Sequence, residues 1–260
     1  EHICSGSFSG CKKIQVINFP INSKIQTIED EAFYASSIES FTVPSQVTKI
    51  GEKNFQYCQN LKQVEIKFDS KLQSFEEYTF SETKIESISI PSRLKQLKKS
   101  WCTSTRFITQ VKISPENPYF KVYDNIFVIG RSSIDQNNYN QLIFCSRNVE
   151  NVIIPDFIEH ICSGSFSGCV KLQKVQLTSK IQTIEDEAFY ESSIESLTIP
   201  SQITKIGESS FSYCRKLRCI EIPSDTKIQV IESWLFSGTP INSISIPSQI
   251  TRIKEGAFFF

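Results

Sequence analysis

Ile203-Thr204-Lys205-Ile206-Gly207-Glu208-Ser209-Ser210-Phe211-Ser212-Tyr213-Cys214, followed shortly by Leu217-Arg218-Cys219-Ile220-Glu221-Ile222-Pro223, holds both halves of the pattern on which this chain is built. The second half reads apolar-x-x-apolar-x-apolar, with Leu217, Ile220 and Ile222 as its members. The alternation at its end is the period of a strand. Pro223 cannot donate a ladder hydrogen bond, so it marks where that strand stops. The first half reads apolar-x-x-apolar, four residues, then Phe: Ile203, Ile206 and Phe211. The polar stretch before the Phe, acidic in Glu29-Asp30-Glu31, suits the first turn of a short helix, where carboxylates meet the positive end of the dipole. Phe211 and Cys214, three apart, would share its inward face.

Working outward, the strand pattern recurs from Ile14/Ile17/Phe19 to Ile241/Ile244/Ile246. Its last member returns every 22 to 24 residues, with a single gap of 41 between Ile113 and Ile154. A longer copy is superimposed on this period. Residues 1–11 recur letter for letter as 159–169, and 24–34 recur as 180–190. Apolar swaps are tolerated in cores, so identity of this kind points to a tandem duplication. One unit of this length has too few inward apolar side chains to offset an ordering cost of about 1–2 kcal/mol per backbone residue. Stacked units cover one another's faces, which predicts a solenoid of class α/β with parallel strands. In the long gap, Ile126-Phe127-Val128-Ile129 and Leu142-Ile143-Phe144 flank the polar stretch from Gly130 to Asn140 and read as a β-hairpin. The expected organisation is a single solenoid over 1–260, a piece of a longer array, with a hairpin insertion at 114–148.

These units resemble leucine-rich repeats, and in particular the BspA-like kind found on surfaces of bacteria and protist parasites. The marks are Ile in place of Leu, the strand-ending Ile-Pro, and the run from Ile206-Gly207 to Phe211-Ser212-Tyr213-Cys214. The resemblance implies an arc with a parallel sheet on its concave side and short helices on its convex side, with the hairpin replacing one helix. It covers nearly the whole chain and departs around Lys98 to Arg106. There Trp101 or Cys102 stands in the place of Phe, and an irregular coil is expected.

Composition narrows the function. The 260 residues carry 28 basic and 28 acidic side chains, so no bulk field gathers nucleic acid or an anionic membrane surface. The 37 Ile and 20 Phe exclude disorder, and no apolar run reaches the roughly 18 residues of a membrane span. None of the 12 Asn heads a glycosylation sequon, which favours a bacterial origin or a cytosolic place. The only histidines, His2 and His160, are copies of one repeat position. His160 with Cys162 and Cys169 could suggest zinc, but the three sit at different places in the coil, whereas zinc needs about four converging ligands. They read as ordinary repeat side chains, and no metal, cofactor or catalytic constellation is expected. Nine cysteines cannot all pair internally. Cys11, Cys58, Cys169 and Cys214 share one repeat position and read as small buried hydrophobes. Cys219, on the exposed strand face, is the thiol expected to react first.

Binding is expected on the outward strand positions. The candidate residues are Gln63, Glu65, Lys67, Gln110, Lys112, Lys174, Gln176, Cys219 and Glu221. A broad polar platform of this kind suits a protein or glycan surface rather than a buried small molecule. The alternative is a solvated sheet face without a partner. The family resemblance implies a non-enzymatic adhesion module at the cell surface or secreted, binding host-cell or extracellular-matrix components. The competing reading is a cytoplasmic scaffold for protein assembly. Exposed coil ends, including Phe258 to Phe260, invite homo-oligomers.

Overall fold

The computed structural model describes residues 1–131, 135 and 137–259. They form two compact units, one holding Glu1–Val128 and the other residues 137–259 with 129–131. The polar turn expected before Asn140 lies partly outside the described residues, at 132–134 and 136, as does Phe260.

Each unit is a solenoid of short parallel strands. In the first unit, Val16–Ile17, Ser40–Thr42, Gln63–Glu65, Ser87–Ile90 and Gln110–Ile113 stack in sequence order as one sheet. The second unit stacks Asn151–Ile153, Lys174–Gln176, Ser196–Thr198 and Cys219–Glu221 in the same way. These are the strand patterns of the sequence, and the register follows the repeat: Phe41 faces Val64, and Leu197 faces Ile220. Their middle residues point inward, with Phe41 at 2% exposure and Val64 at 5%.

The apolar-x-x-apolar half makes a second parallel sheet that the sequence reading lacked. His2–Ile3, Thr27–Ile28, Lys49–Ile50, Ser74–Phe75 and Gln96–Leu97 pair in order in the first unit. Gln141–Cys145, His160–Ile161, Thr183–Ile184 and Lys205–Ile206 pair in the second. Val230–Ile231 and Arg252–Ile253 form a further parallel pair there. In the long gap, Phe120–Tyr123 turns back into Phe127–Gly130 through Asp124 and Asn125, at φ 53° and 57°. Two consecutive left-handed residues are the signature of a type I′ hairpin turn.

The short helices are absent among the described residues, and the run around each Phe is a chain of tight turns instead. In residues 187–192 alternate amides serve different partners. Ala188, Tyr190 and Ser192 donate to the carbonyls three residues back, at 3.3, 3.0 and 2.9 Å. Glu187, Phe189 and Glu191 donate to Glu208, Ser210 and Ser212 of the next coil, at 2.9, 2.8 and 2.9 Å. The alternation requires a left-handed residue two before and two after each Phe. Gly6 and Gly10, Glu31 and Ala35, Lys53 and Tyr57, Gly164 and Gly168, and Glu187 and Glu191 all have φ between 51° and 72°. The spacing of the coils explains the outcome. Strands in a sheet lie about 4.8 Å apart, whereas a helix with its side chains is about 10 Å across. Coils held close by two parallel sheets leave no room for stacked helices, and a flat run of turns fits.

The acidic residues meant for a helix N-terminus act between coils instead. Glu29 Oε2 accepts the Ser5 amide at 3.0 Å, and Asp30 Oδ1 accepts the Glu52 amide at 2.9 Å. The duplicate repeats both contacts, Glu185 with the Ser163 amide and Asp186 with the Glu208 amide, each at 2.9 Å. Such charge-assisted bonds are the stronger kind. Room for the aspartate comes from glycine: a Cβ on Gly207 would lie 2.4 Å from the Asp186 nitrogen, and one on Gly51 would lie 2.5 Å from that of Asp30.

Inside, the Phe rings stack in columns. Phe8, Phe33, Phe55 and Phe80 follow one another at 5.0, 5.2 and 5.5 Å with planes within 6°. Phe166, Phe189, Phe211 and Phe236 stack likewise at 4.8, 5.4 and 5.7 Å, with planes within 13°. At Lys98 to Arg106 the backbone keeps the pattern, with Ser100 and Ser104 left-handed. Only the side chains change: Cys102 takes the Phe place and Trp101 stacks on Phe75 at 5.6 Å.

Two substitutions separate turns from helix by the sign of their effect. Ala35→Gly relieves a left-handed residue and is expected to be neutral or stabilising by up to about 1 kcal/mol, where a helix interior would lose about 1 kcal/mol. Gly207→Ala is expected to destabilise by about 1–3 kcal/mol. Urea denaturation of both variants reads these values.

Candidate binding faces

In a strand flanked by buried positions, the residues between them turn outward. In the first unit the pairing builds one outward row from Val16, Ser40, Gln63, Ser87 and Gln110. A second row places Thr42 beside Glu65 and Ser89 beside Lys112. In the second unit, Asn151, Lys174, Ser196 and Cys219 form one row. Ile153 pairs with Gln176, and Thr198 with Glu221. All nine residues singled out from the sequence are exposed. Gln63, Glu65, Lys67, Gln110 and Lys112 lie on the first unit, and Lys174, Gln176, Cys219 and Glu221 on the second, so they make two faces rather than one set.

The two faces share a motif. Thr42 Oγ1 donates to Glu65 Oε2 at 3.2 Å, and Thr198 Oγ1 donates to Glu221 Oε2 at 3.0 Å. The small hydroxyl of one coil therefore fixes the carboxylate of the next, which holds the charge in place. On the second unit a depression of about 750 Å³ opens over these strands, lined by Asn151, Ile153, Lys174, Gln176, Ser196 and Thr198 among others. A smaller one of about 250 Å³ on the first unit includes Phe19, Pro20, Ile21, Thr42, Pro44 and Lys67. Of the nine candidates, Lys174 and Gln176 line the larger depression and Lys67 the smaller. Gln63, Glu65, Gln110, Lys112, Cys219 and Glu221 line neither.

The selection from sequence missed Ile153, which is 68% exposed in the wall of the larger depression. Its signal was present: an aliphatic residue at a strand position that other coils give to Asn, Gln, Glu, Lys, Ser or Thr. Choosing charged, amide and thiol side chains passed over it.

The residues weighed for metal do not converge. Among the described residues no group of three or more His, Cys, Asp or Glu side chains could hold an ion. His160 Nδ1 lies 2.8 Å from Thr183 Oγ1, and His2 Nδ1 lies 3.5 Å from Glu29 Oε1. Cys169 sits at an arginine instead. None of the nine cysteines is in a disulfide. Cys58 and Cys214 are fully buried, and each hydrogen-bonds a serine of the preceding coil, Ser36 at 3.4 Å and Ser192 at 3.3 Å. Burial pushes the Cys214 thiol up to about 12 against the opposing Ser192 hydrogen bonds. It therefore stays protonated over the ordinary pH range, while Cys219 is exposed. At pH 8, iodoacetamide is expected to alkylate Cys219 rapidly and Cys214 only after denaturation. Peptide mass mapping after timed labelling distinguishes this from equal labelling.

Against known proteins, the model of the BspA type leucine rich repeat region matches residues 1–123 and 137–260, in six copies. No curated protein sequence matches the chain significantly. Among solved structures, a leucine rich cell surface protein from Faecalibacterium prausnitzii aligns with 98% of the chain at 22% identity and a TM-score of 0.70. The chain spans 59% of that protein's length. The pneumococcal vaccine antigen PcpA aligns with 97% of the chain, over 71% of its own, at 20% identity and a TM-score of 0.71. A leucine-rich repeat protein from Eubacterium ventriosum aligns with 92% of the chain, over 81% of its own, at 19% identity and 0.63. At these identities the likeness is one of fold.

Proposed function

We propose a non-catalytic protein-binding module, on the premise that the chain belongs to the BspA-type leucine-rich repeat family. The observation that carries it is the exposed strand face of the second unit, where an aliphatic side chain stands among polar groups. Ile153 gives a partner apolar surface to bury, Lys174 gives it a charge to orient on, and Ser196 and Thr198 give it hydrogen-bond partners. Contacts in which a central apolar anchor is ringed by polar groups carry most of an interface's affinity, and the charges set direction and rate. A depression this open suits a protein loop or a glycan chain more than an enclosed small molecule.

The place we infer is the cell surface or the secreted fraction, with host-cell or extracellular-matrix components as partners. Family membership supports it, as do neighbours of the same fold described as a cell surface protein and a vaccine antigen. Among the described residues no helix is long and apolar enough to cross a membrane. We infer that exposed coil ends also allow self-association.

Binding to cultured host cells and to immobilised matrix proteins tests the reading. Ile153→Asp and Lys174→Glu are expected to weaken binding at least about tenfold, the loss of roughly 1.4 kcal/mol. Glu65→Lys with Lys112→Glu reports separately on the first unit's face. Binding unchanged by both sets would remove the strand faces as the contact surface.

A further inference from the structure

The runs that lead from the exposed sheet to the second sheet form one corner of the first unit. They are residues 20–27, 44–49, 67–74 and 91–96, and they are tied coil to coil. The Thr48 amide donates to Gln26 at 2.8 Å, the Gln73 amide to Thr48 at 3.0 Å, and the Lys95 amide to Gln73 at 2.8 Å. Lys71 Nζ donates to Gln46 Oε1 at 2.7 Å along the row that Lys24, Gln46, Lys71 and Arg93 occupy in successive coils. The corner carries one sign of charge. Its four runs hold Lys24, Lys49, Lys67, Lys71, Arg93 and Lys95 against the single acid Asp69. All six cations are exposed, and among the described residues none of them pairs with a carboxylate. The turn runs at 28–36, 50–58 and 75–83 hold seven acids against Lys53, which pairs with Glu52. The duplication supplies a comparison. Lys24, Lys49 and Lys71 keep their charge in the copy as Lys180, Lys205 and Lys227. Lys67, Arg93 and Lys95 become Pro223, Gln249 and Thr251, Phe68 becomes Ser224, and only Gln96 gains a charge, as Arg252. The excess of the first unit therefore sits in two adjoining coils, 67–74 and 91–96.

We propose that this corner of the first unit binds a linear sulfated polysaccharide. Cations whose field no neighbour cancels gather a polyanion, and the counterions it releases drive association. Coils step by about 4.8 Å, so the cations run along the solenoid and suit an extended chain with anionic groups on successive rings. Beside them lies the depression of about 250 Å³, with Lys67 in its wall next to Pro20, Ile21 and Pro44. Apolar walls of this kind take the C–H faces of sugar rings. Phe68, 42% exposed and adjoining Lys67, offers its ring for the same contact. It is the one aromatic residue of the four runs, short of the succession of rings on which single-stranded nucleic acid stacks. Of the residues on the strand faces only Lys67 is shared, so this is a second surface. The choice of a glycan over a nucleic acid also rests on the cell-surface placement proposed above, but binding to the purified chain is read without it.

The test uses the whole chain over immobilised heparin. Binding is expected at about 0.1 M salt, weakening as salt rises. Lys71→Glu, Arg93→Glu and Lys95→Glu together are expected to weaken it at least about tenfold. Lys180→Glu, Lys205→Glu and Lys227→Glu make the same change of net charge on the second unit and are expected to cost much less. All six positions are exposed, and an unchanged urea midpoint shows that each variant folds. Hyaluronan, which carries carboxylates but no sulfates, is expected to bind more weakly than heparin. Ile153→Asp, which tests the strand face, is expected to leave heparin binding unchanged, so the two readings fail separately. No binding of the wild-type chain to heparin would overturn the proposal, as would equal losses from the two triple variants. Hyaluronan or single-stranded DNA bound as tightly as heparin would also overturn it.

Discussion

The structure depends on one constraint: each coil must hand its sideways hydrogen bonds to the next coil at strand spacing. Buried amides and carbonyls that find no partner cost about 1–3 kcal/mol each. In a solenoid coil the partners lie in the neighbour, on both sheets and along the turn run. Phe189 donating to Ser210, and Phe211 to Leu235, show the same rule operating where no strand exists. From it follow the left-handed residues that aim alternate amides outward and the glycines that admit Asp30 and Asp186. The Phe columns follow too, since rings at one place in successive coils come to rest at stacking distance.

The period, the strand pattern and the inward residues were legible because they depend on burial, which apolar spacing records directly. Ile28, Phe33, Ile50 and Phe55 are all at 0% exposure, where the pattern places them. The second sheet and the missing helices were not legible in the same way. Ile25-x-x-Ile28 followed by an acidic run fits a helix start as well as a two-residue strand, because spacings of three and four are shared by a helix face and by a coil corner. What decides is the stacking distance, a property of the assembled coils. A clue did exist in Gly6-Ser7-Phe8-Ser9-Gly10 and its copy at 164–168: glycine two places either side of the Phe is poor for a helix and apt for left-handed turns. Elsewhere Glu31, Ala35, Lys53 and Tyr57 hold the same conformation and hide it.

The candidate faces were half legible. Counting along the strands found outward residues correctly, since Glu65, Lys112, Lys174 and Glu221 are all exposed. Their grouping into two faces, the threonine that fixes each glutamate, and Ile153 in the wall of the depression required the register between coils. The basic corner was legible in part. Its six cations stand in the sequence, but their adjacency required the ties between coils. The same geometry that makes the core regular thus makes its exceptions informative: a surface aliphatic at a polar position, and cations that the internal copy lacks.

The turn run between coils is open to backbone NMR of residues 185–192. Three-bond couplings are expected to give positive φ at Glu187 and Glu191, with slow amide exchange at Phe189, whose hydrogen bond reaches Ser210 of the next coil. Negative, helical φ throughout that stretch, with contacts between residues four apart, would contradict it.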